Sequence, residues 1–163
     1  MTEQLIIGVM GGGTATAGDI ETAFRLGSLI AEQGWVLLNG GRNSGIMEAS
    51  ARGARGHGGL TVGILPDDNC SRVSEFITIP ILTGMGNARN CINVLSSDIV
   101  VACPGGAGTL SEIALALKSN KAVILLNFDI GKPFDQYVNE GLLYYAETPE
   151  EVIEKIKKIS KNY

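Results

Sequence analysis

The run Pro104-Gly105-Gly106-Ala107-Gly108-Thr109-Leu110-Ser111-Glu112 has the residue types and spacing best suited to chemistry in this chain. It follows an apolar stretch, Ile99 to Cys103, and leads into a helical pattern that predicts a helix over Thr109–Lys118. A strand that ends in a glycine loop and then opens a helix presents free N–H groups and the positive end of the helix dipole to an anion. Thr109 adds a hydroxyl, and Glu112 falls about one turn into the expected helix, beside whatever the loop holds. The loop suggests a phosphate. The carboxylate beside it suggests recognition or catalysis.

The elements that must position this segment alternate along the chain. Strand-like runs occur at Leu5–Met10, Trp35–Asn39, Leu60–Leu65, Ile77–Leu82, Ile99–Cys103, Ala122–Leu126 and Leu142–Tyr145. Helical spacing separates them: Ile20 to Ala31 with Thr16 or Asp19 as N-cap and Gly34 as stop, Ile46–Arg55, Ala88–Ser96, Thr109–Lys118 and Pro149–Lys161. Strands apolar on both faces and separated by helices predict a doubly wound, Rossmann-like α/β domain over 1–163, with about seven mostly parallel strands and helices on both faces. Three of these strands end in glycine loops: Gly11-Gly12-Gly13, Gly40-Gly41 and Gly105-Gly106. In open parallel sheets the carboxyl ends of the strands form the binding crevice. Glycines also make ordinary tight turns, so the weight lies in three loops at corresponding positions. The dinucleotide fingerprint is poorly matched: the first loop lacks its spacing, and Asn39 stands where an acid would end the second strand.

Composition narrows the class. The chain has 163 residues and a formal net charge of −4, which argues against a nucleic-acid partner. Every arginine lies at or before Arg89, and every lysine at or after Lys118. Three well-separated cysteines, Cys70, Cys91 and Cys103, fit reduced thiols and no metal spacing. No apolar stretch approaches membrane-spanning length, so the expectation is a soluble cytoplasmic protein with no membrane partner. His57 in a glycine turn, the Asp67–Asp68 pair after Pro66 and Trp35 read as turn, solvated turn and core respectively.

Two motifs together are specific. Gly40-Gly41-Arg42-Asn43-Ser44-Gly45-Ile46-Met47 and Pro104 to Glu112 resemble the paired signatures of the LONELY GUY family. Between them, Gly86-Asn87-Ala88-Arg89-Asn90 and Ser97-Asp98 resemble that family's arginine-bearing helix start and the acid preceding its last motif. The resemblance covers roughly 5–128. Three positions depart from it. Arg42 replaces a glycine, Asn90 the lysine of an Arg-Lys pair, and Ser111 the first of two acids. The Arg42–Glu48 and Asn87–Asn90 segments look closer to the branch of molybdenum-cofactor carrier proteins.

The resemblance implies two functions. One is hydrolysis of the N-glycosidic bond of a nucleoside 5′-monophosphate to free base and ribose 5-phosphate. The other is non-catalytic carriage or sensing of a phosphorylated pterin or nucleotide. Glu112 would stabilise the ribosyl cation or act as base, and Arg89 would clamp phosphate or the departing base. Gly11, Gly12, Gly40, Gly41, Gly45, Met47 and Asp98 would bind the nucleotide. Pro104, Gly105, Gly106, Gly108 and Thr109 would hold its phosphate. Arg42 either reaches the ligand or is solvated. The lost lysine and acid lean toward the carrier; retention of Arg89 and Glu112 tips the expectation slightly to the hydrolase. A lysine decarboxylase label attached to parts of the family does not fit, because pyridoxal chemistry needs a lysine at the cofactor and none precedes Lys118. No cofactor or metal is expected. A homodimer or larger homo-oligomer, joined by helices beside the site, is.

Overall fold

In a computed structural model, residues 4–161 are described. Their seven strands form one sheet in the order β4-β3-β2-β1-β5-β6-β7, and every pairing is parallel. The strands are β1 (Ile6–Met10), β2 (Val36–Asn39), β3 (Thr61–Leu65), β4 (Ile79–Leu82), β5 (Ile99–Ala102), β6 (Val123–Leu126) and β7 (Leu143–Ala146). The helices are α1 (Ala17–Glu32), α2 (Gly45–Gly56), α3 (Arg89–Leu95), α4 (Ala107–Lys118), α5 (Asp135–Asn139) and α6 (Pro149–Ser160). The expected doubly wound α/β architecture is therefore present. β6, Val-Ile-Leu-Leu, is buried at every position because helices cover both of its faces.

One face packs Ala23, Leu26 and Ile30 of α1, Ile46 and Ala49 of α2, and Val152 and Ile156 of α6 against the sheet. The other packs Val94 of α3 with Ile113, Ala116 and Leu117 of α4. Each such buried Leu or Ile contributes about 1.5–3 kcal/mol of apolar burial. Trp35 packs at the margin of the first cluster, as its sequence context suggests. α1 and α2 cross where each has a glycine. A Cβ on Gly27 would stand 2.0 Å from the Ser50 carbonyl oxygen, and one on Gly53 the same distance from that of Phe24.

Chain direction decides where the site lies. From β1 the chain winds outward through β2, β3 and β4, then returns to the other side of β1 to form β5, β6 and β7. β1 and β5 are neighbours in register, with Ile7 opposite Ile99 and Met10 opposite Ala102. The loops leaving their carboxyl ends diverge to opposite faces and open a crevice between them.

Among the boundaries that differ from the sequence reading, two bear on the site. α4 begins at Ala107, two residues before the expected start, because Gly106 takes the N-cap position and the Leu110 N–H already bonds the Gly106 carbonyl at 3.0 Å. Glu112 therefore sits more than one turn into the helix. The expected Ala88–Ser96 helix divides into a short 3₁₀ turn, Gly86–Ala88, and α3.

Candidate functional site

Three loops meet at the crevice and are tied by backbone bonds. Gly12 N–H donates to the Pro104 carbonyl at 3.0 Å, and Ile46 N–H to the Gly12 carbonyl at 3.0 Å. Gly45, at φ +54°, must be glycine, since a Cβ there would lie 2.1 Å from the Gly12 oxygen. These bonds close the floor of a cleft of about 210 Å³. The backbone of Gly11 to Gly13, Gly40 with Met47, Arg89 between Asn87 and Asn90, and Gly106 to Glu112 surround it.

The α4 end of the cleft presents uncapped backbone donors. Gly106 provides no side-chain cap, so the N–H groups of Ala107, Gly108 and Thr109 lack intrahelical acceptors. A Cβ on Gly106 or Gly108 would meet nothing within 4 Å, so these glycines keep the approach open. Thr109 is buried, with its Oγ1 against Gly105.

Arg89 and Glu112 come together on the opposite wall. Arg89 Nη1 lies 3.6 Å from Glu112 Oε1, with both side chains almost fully covered. Asn93 Nδ2 donates to the same Oε1 at 2.8 Å. Burial pushes the Glu112 carboxyl up from its ordinary value, against the opposing pull of Asn93 and Arg89. Burial likewise lowers Arg89, with Glu112 pulling the other way. In both groups desolvation outweighs the pairing. Arg89 Nε is buried without a hydrogen-bond partner among the described residues, which leaves a donor in reserve at the cleft.

Two of the three departures from the family pattern, Asn90 and Ser111, touch one another. Asn90 Nδ2 donates to Ser111 Oγ at 2.9 Å, Ser111 Oγ donates to the Gly108 carbonyl at 2.6 Å, and Arg89 Nη1 donates to Asn90 Oδ1. Where the resemblance leads one to expect a lysine and an acid, a neutral hydrogen bond joins α3 to the first turn of α4.

Other expected site residues fall elsewhere. Asp98 lies at the amino end of β5, the end remote from the crevice, where its Oδ2 accepts from Ile6 N–H at 2.7 Å. Pro104, Gly41 and Gly45 shape the loops without lining the cleft. Gly105 packs behind Thr109. Arg42 is neither free nor in the cleft: its Nη2 binds Asp67 Oδ1 at 3.0 Å and Oδ2 at 3.1 Å. Asp67 is thus an ion-pair partner rather than a purely solvated turn residue. Asn39 is fully buried, bonded to Met47 O, Ser50 Oγ and Gly41 N, and serves the β2 turn. His57 Nδ1 sits 3.0 Å from the Gly53 carbonyl, remote from the cleft. All three cysteines are free, and burial pushes the Cys103 thiol up to about 12. Asn93 is the functional-site residue that the sequence reading missed. Its signal is an asparagine four residues after Arg89 on a helix, hence on the same face.

This doubly wound α/β fold and its glycine-lined cleft find close counterparts. The chain belongs to the SLOG cluster4 family, which matches it over residues 4–153. The molybdenum cofactor binding protein from the phototrophic bacterium Rippkaea orientalis is 53% identical, with a TM-score of 0.91 over 98% of this chain and 99% of that one. The Moco carrier protein from Chlamydomonas reinhardtii is 40% identical, with a TM-score of 0.90 over 99% and 100%. A cytokinin riboside 5′-monophosphate phosphoribohydrolase from Mycobacterium tuberculosis is 36% identical over 96 residues, 58% of this chain and 51% of that protein. The chain spans about half the length of that phosphoribohydrolase. No helix among the described residues is long and apolar enough to cross a membrane.

Proposed function

We propose that this protein binds and carries a phosphorylated pterin of the molybdenum-cofactor type, anchoring its phosphate on the bare α4 N-terminus. The observation that carries this reading is the state of the acid in the cleft. Glu112 Oε1 is taken by both Asn93 and Arg89, and Ser111, where a second acid is expected, is engaged by Asn90. A cleft whose single carboxylate is already engaged suits holding an anion better than activating water. The full-length likeness to two cofactor-binding proteins supports the ligand class.

Hydrolysis of a nucleoside 5′-monophosphate is the second reading. It is favoured by the burial-raised Glu112, a carboxyl displaced toward the range useful in acid–base work. In either reading Ala107, Gly108 and Thr109 hold the phosphate and Arg89 adds a charge-assisted contact. The glycines of the β1 loop, with Gly40 and Met47, form the opposite wall. Arg42 supports the β2 loop through Asp67. We place the protein in the cytoplasm, with its three free cysteines in support, and take residues 1–163 as one unit. We further propose a homodimer formed beside the site, since Met85, Leu95 and Leu110 around α3 and α4 are exposed.

One experiment separates the readings. The protein is incubated with molybdopterin and with a panel of nucleoside monophosphates, and bound ligand and free base are assayed together. The carrier reading expects retained pterin, no released base, and a weaker hold on ligand for Arg89→Ala. Steady base release that Glu112→Gln abolishes would establish the hydrolase instead. Light scattering during chromatography tests the dimer.

A further inference from the structure

Glu112 is the one carboxylate that lines the cleft among the described residues, and only one of its oxygens is engaged. Its Oε1 receives Asn93 Nδ2 at 2.8 Å and stands 3.6 Å from Arg89 Nη1. Its Oε2 takes part in neither contact and is not among the buried polar atoms that lack a partner. One oxygen is therefore anchored, and the other stays open to the cleft.

Both anchors are fixed in their own right. Asn93 is fully buried and its Oδ1 has no partner among the described residues, so its amide is committed through Nδ2 to Glu112. A Cβ on Gly40 would stand 2.7 Å from Arg89 Nη2 and from Met47 Sδ, so the guanidinium is wedged between Glu112 and the β2 loop. Both groups are donors at these atoms, so whatever they hold at the Oε1 position must be an acceptor.

Position along α4 sets which part of a ligand Oε2 meets. At about 1.5 Å per residue, Glu112 stands about 7.5 Å along the helix from Ala107. A phosphate on the Ala107–Thr109 amides, its ester oxygen and a short carbon link cover that span. Glu112 then faces the ring of a pterin that carries the link, with Val9, Met10 and Met47 supplying apolar and thioether surface. The nitrogens of that ring differ with oxidation state. In a tetrahydropterin both carry hydrogen and donate. In the aromatic form both present lone pairs, which a carboxylate repels.

We infer that Glu112 Oε2 selects the oxidation state of the ligand, accepting from a ring N–H that a reduced pterin has and an aromatic one lacks. This rests on the phosphorylated-pterin reading above and adds a specificity-determining residue to it.

Tetrahydroneopterin 3′-monophosphate and neopterin 3′-monophosphate test it, since they share the phosphate and the side chain. They are titrated in the absence of oxygen at pH 8, far above the ordinary carboxyl value of 4.5. Wild type is expected to bind the reduced form about tenfold more tightly, the size of one hydrogen bond to a charged group. Glu112→Gln gives the sharper outcome. Asn93 and Arg89 hold the amide oxygen and so turn the new NH2 toward the ligand, and the preference should vanish or reverse to the aromatic form. Glu112→Leu, which offers neither acceptor nor donor, should bring the two affinities within about twofold. Equal affinities for wild type, or a preference that survives both substitutions, would overturn the selection and leave the phosphate site standing. Binding of neither pterin to wild type would overturn the pterin reading as well.

Discussion

α1 and α4 begin at the carboxyl ends of adjacent strands, β1 and β5, yet their N-termini are finished in opposite ways. α1 satisfies its own amides. Thr16 Oγ1 accepts from Asp19 N–H at 3.1 Å, and the Asp19 carboxylate accepts from Thr16 in return. Its first turn is therefore closed, and an acid already occupies the positive end of the dipole. α4 has Gly106 at the same position, no side-chain cap, and no acid in its first turn. The helix's own carboxylate, Glu112, lies further along and faces Arg89. Glycine at an N-cap gives up only a few tenths of a kcal/mol relative to the best capping residues. The comparison teaches that the helix end proposed to hold the ligand is the one from which the chain withholds its own cap.

Giving α4 the cap that α1 has would break the contrast most strongly. Gly106 is at φ −99° and ψ −151°, a conformation open to any residue, and its Cβ direction is empty. Gly106→Asp should stabilise the fold by a few tenths of a kcal/mol. It should also weaken anion binding about a hundredfold, because a carboxylate competes for the amides and repels the ligand. Denaturant melts and ligand titrations on one preparation read both effects. A variant that gained stability and kept its affinity would show that the α4 amides do not hold the ligand.

A Cβ at Gly45 attacks the β1 loop instead of the cap. Gly45→Ala forces a contact 2.1 Å from the Gly12 oxygen at φ +54° and should cost about 2–4 kcal/mol of stability. Urea unfolding checks it, and a loss below half a kcal/mol would mean the loop floor is soft. Removing the α1 cap should matter less. Thr16→Ala is expected to cost about 1 kcal/mol while leaving affinity for a phosphomonoester unchanged. A matching loss of affinity would tie α1 to the anion site and erase the contrast.

The smallest effect is a dependence on pH. Burial raises Glu112, so the folded state holds that proton more tightly than the unfolded chain. Its contribution to stability is therefore complete below the ordinary carboxyl value of 4.5 and is lost as pH rises through the higher folded value. Glu112→Gln removes that loss. The variant's stability relative to wild type should climb between pH 4.5 and neutrality, as urea midpoints would show, and a flat difference would mean that Glu112 is not shifted.

Much of this architecture could be read from residue order. The apolar runs at Leu60–Leu65 and Ala122–Leu126 became β3 and β6 within a residue of their expected ends, because a strand buried on both faces leaves a nearly unbroken apolar signature. Thr16 and Asp19, alternative caps in the sequence, are both members of one capping box. Arg89 and Glu112 were legible through motif spacing. Asn93 was not, because an asparagine inside a short helix reads equally as surface. Asp98 was placed in the site by resemblance to the family's acid before the last motif, yet a parallel strand carries its two ends to opposite edges of the sheet.

The sequence by itself determined the alternation of strand and helix and the glycine loops at strand ends. Those are local properties, set by side-chain period and by which residues can adopt a turn. Only the tertiary structure decided that Asn90 meets Ser111, that Asn93 and Arg89 share one oxygen of Glu112, and that Arg42 turns to Asp67. These contacts join residues from different elements, and their distances depend on how helices cross the sheet. That crossing is fixed by packing over the whole core, which no local pattern encodes.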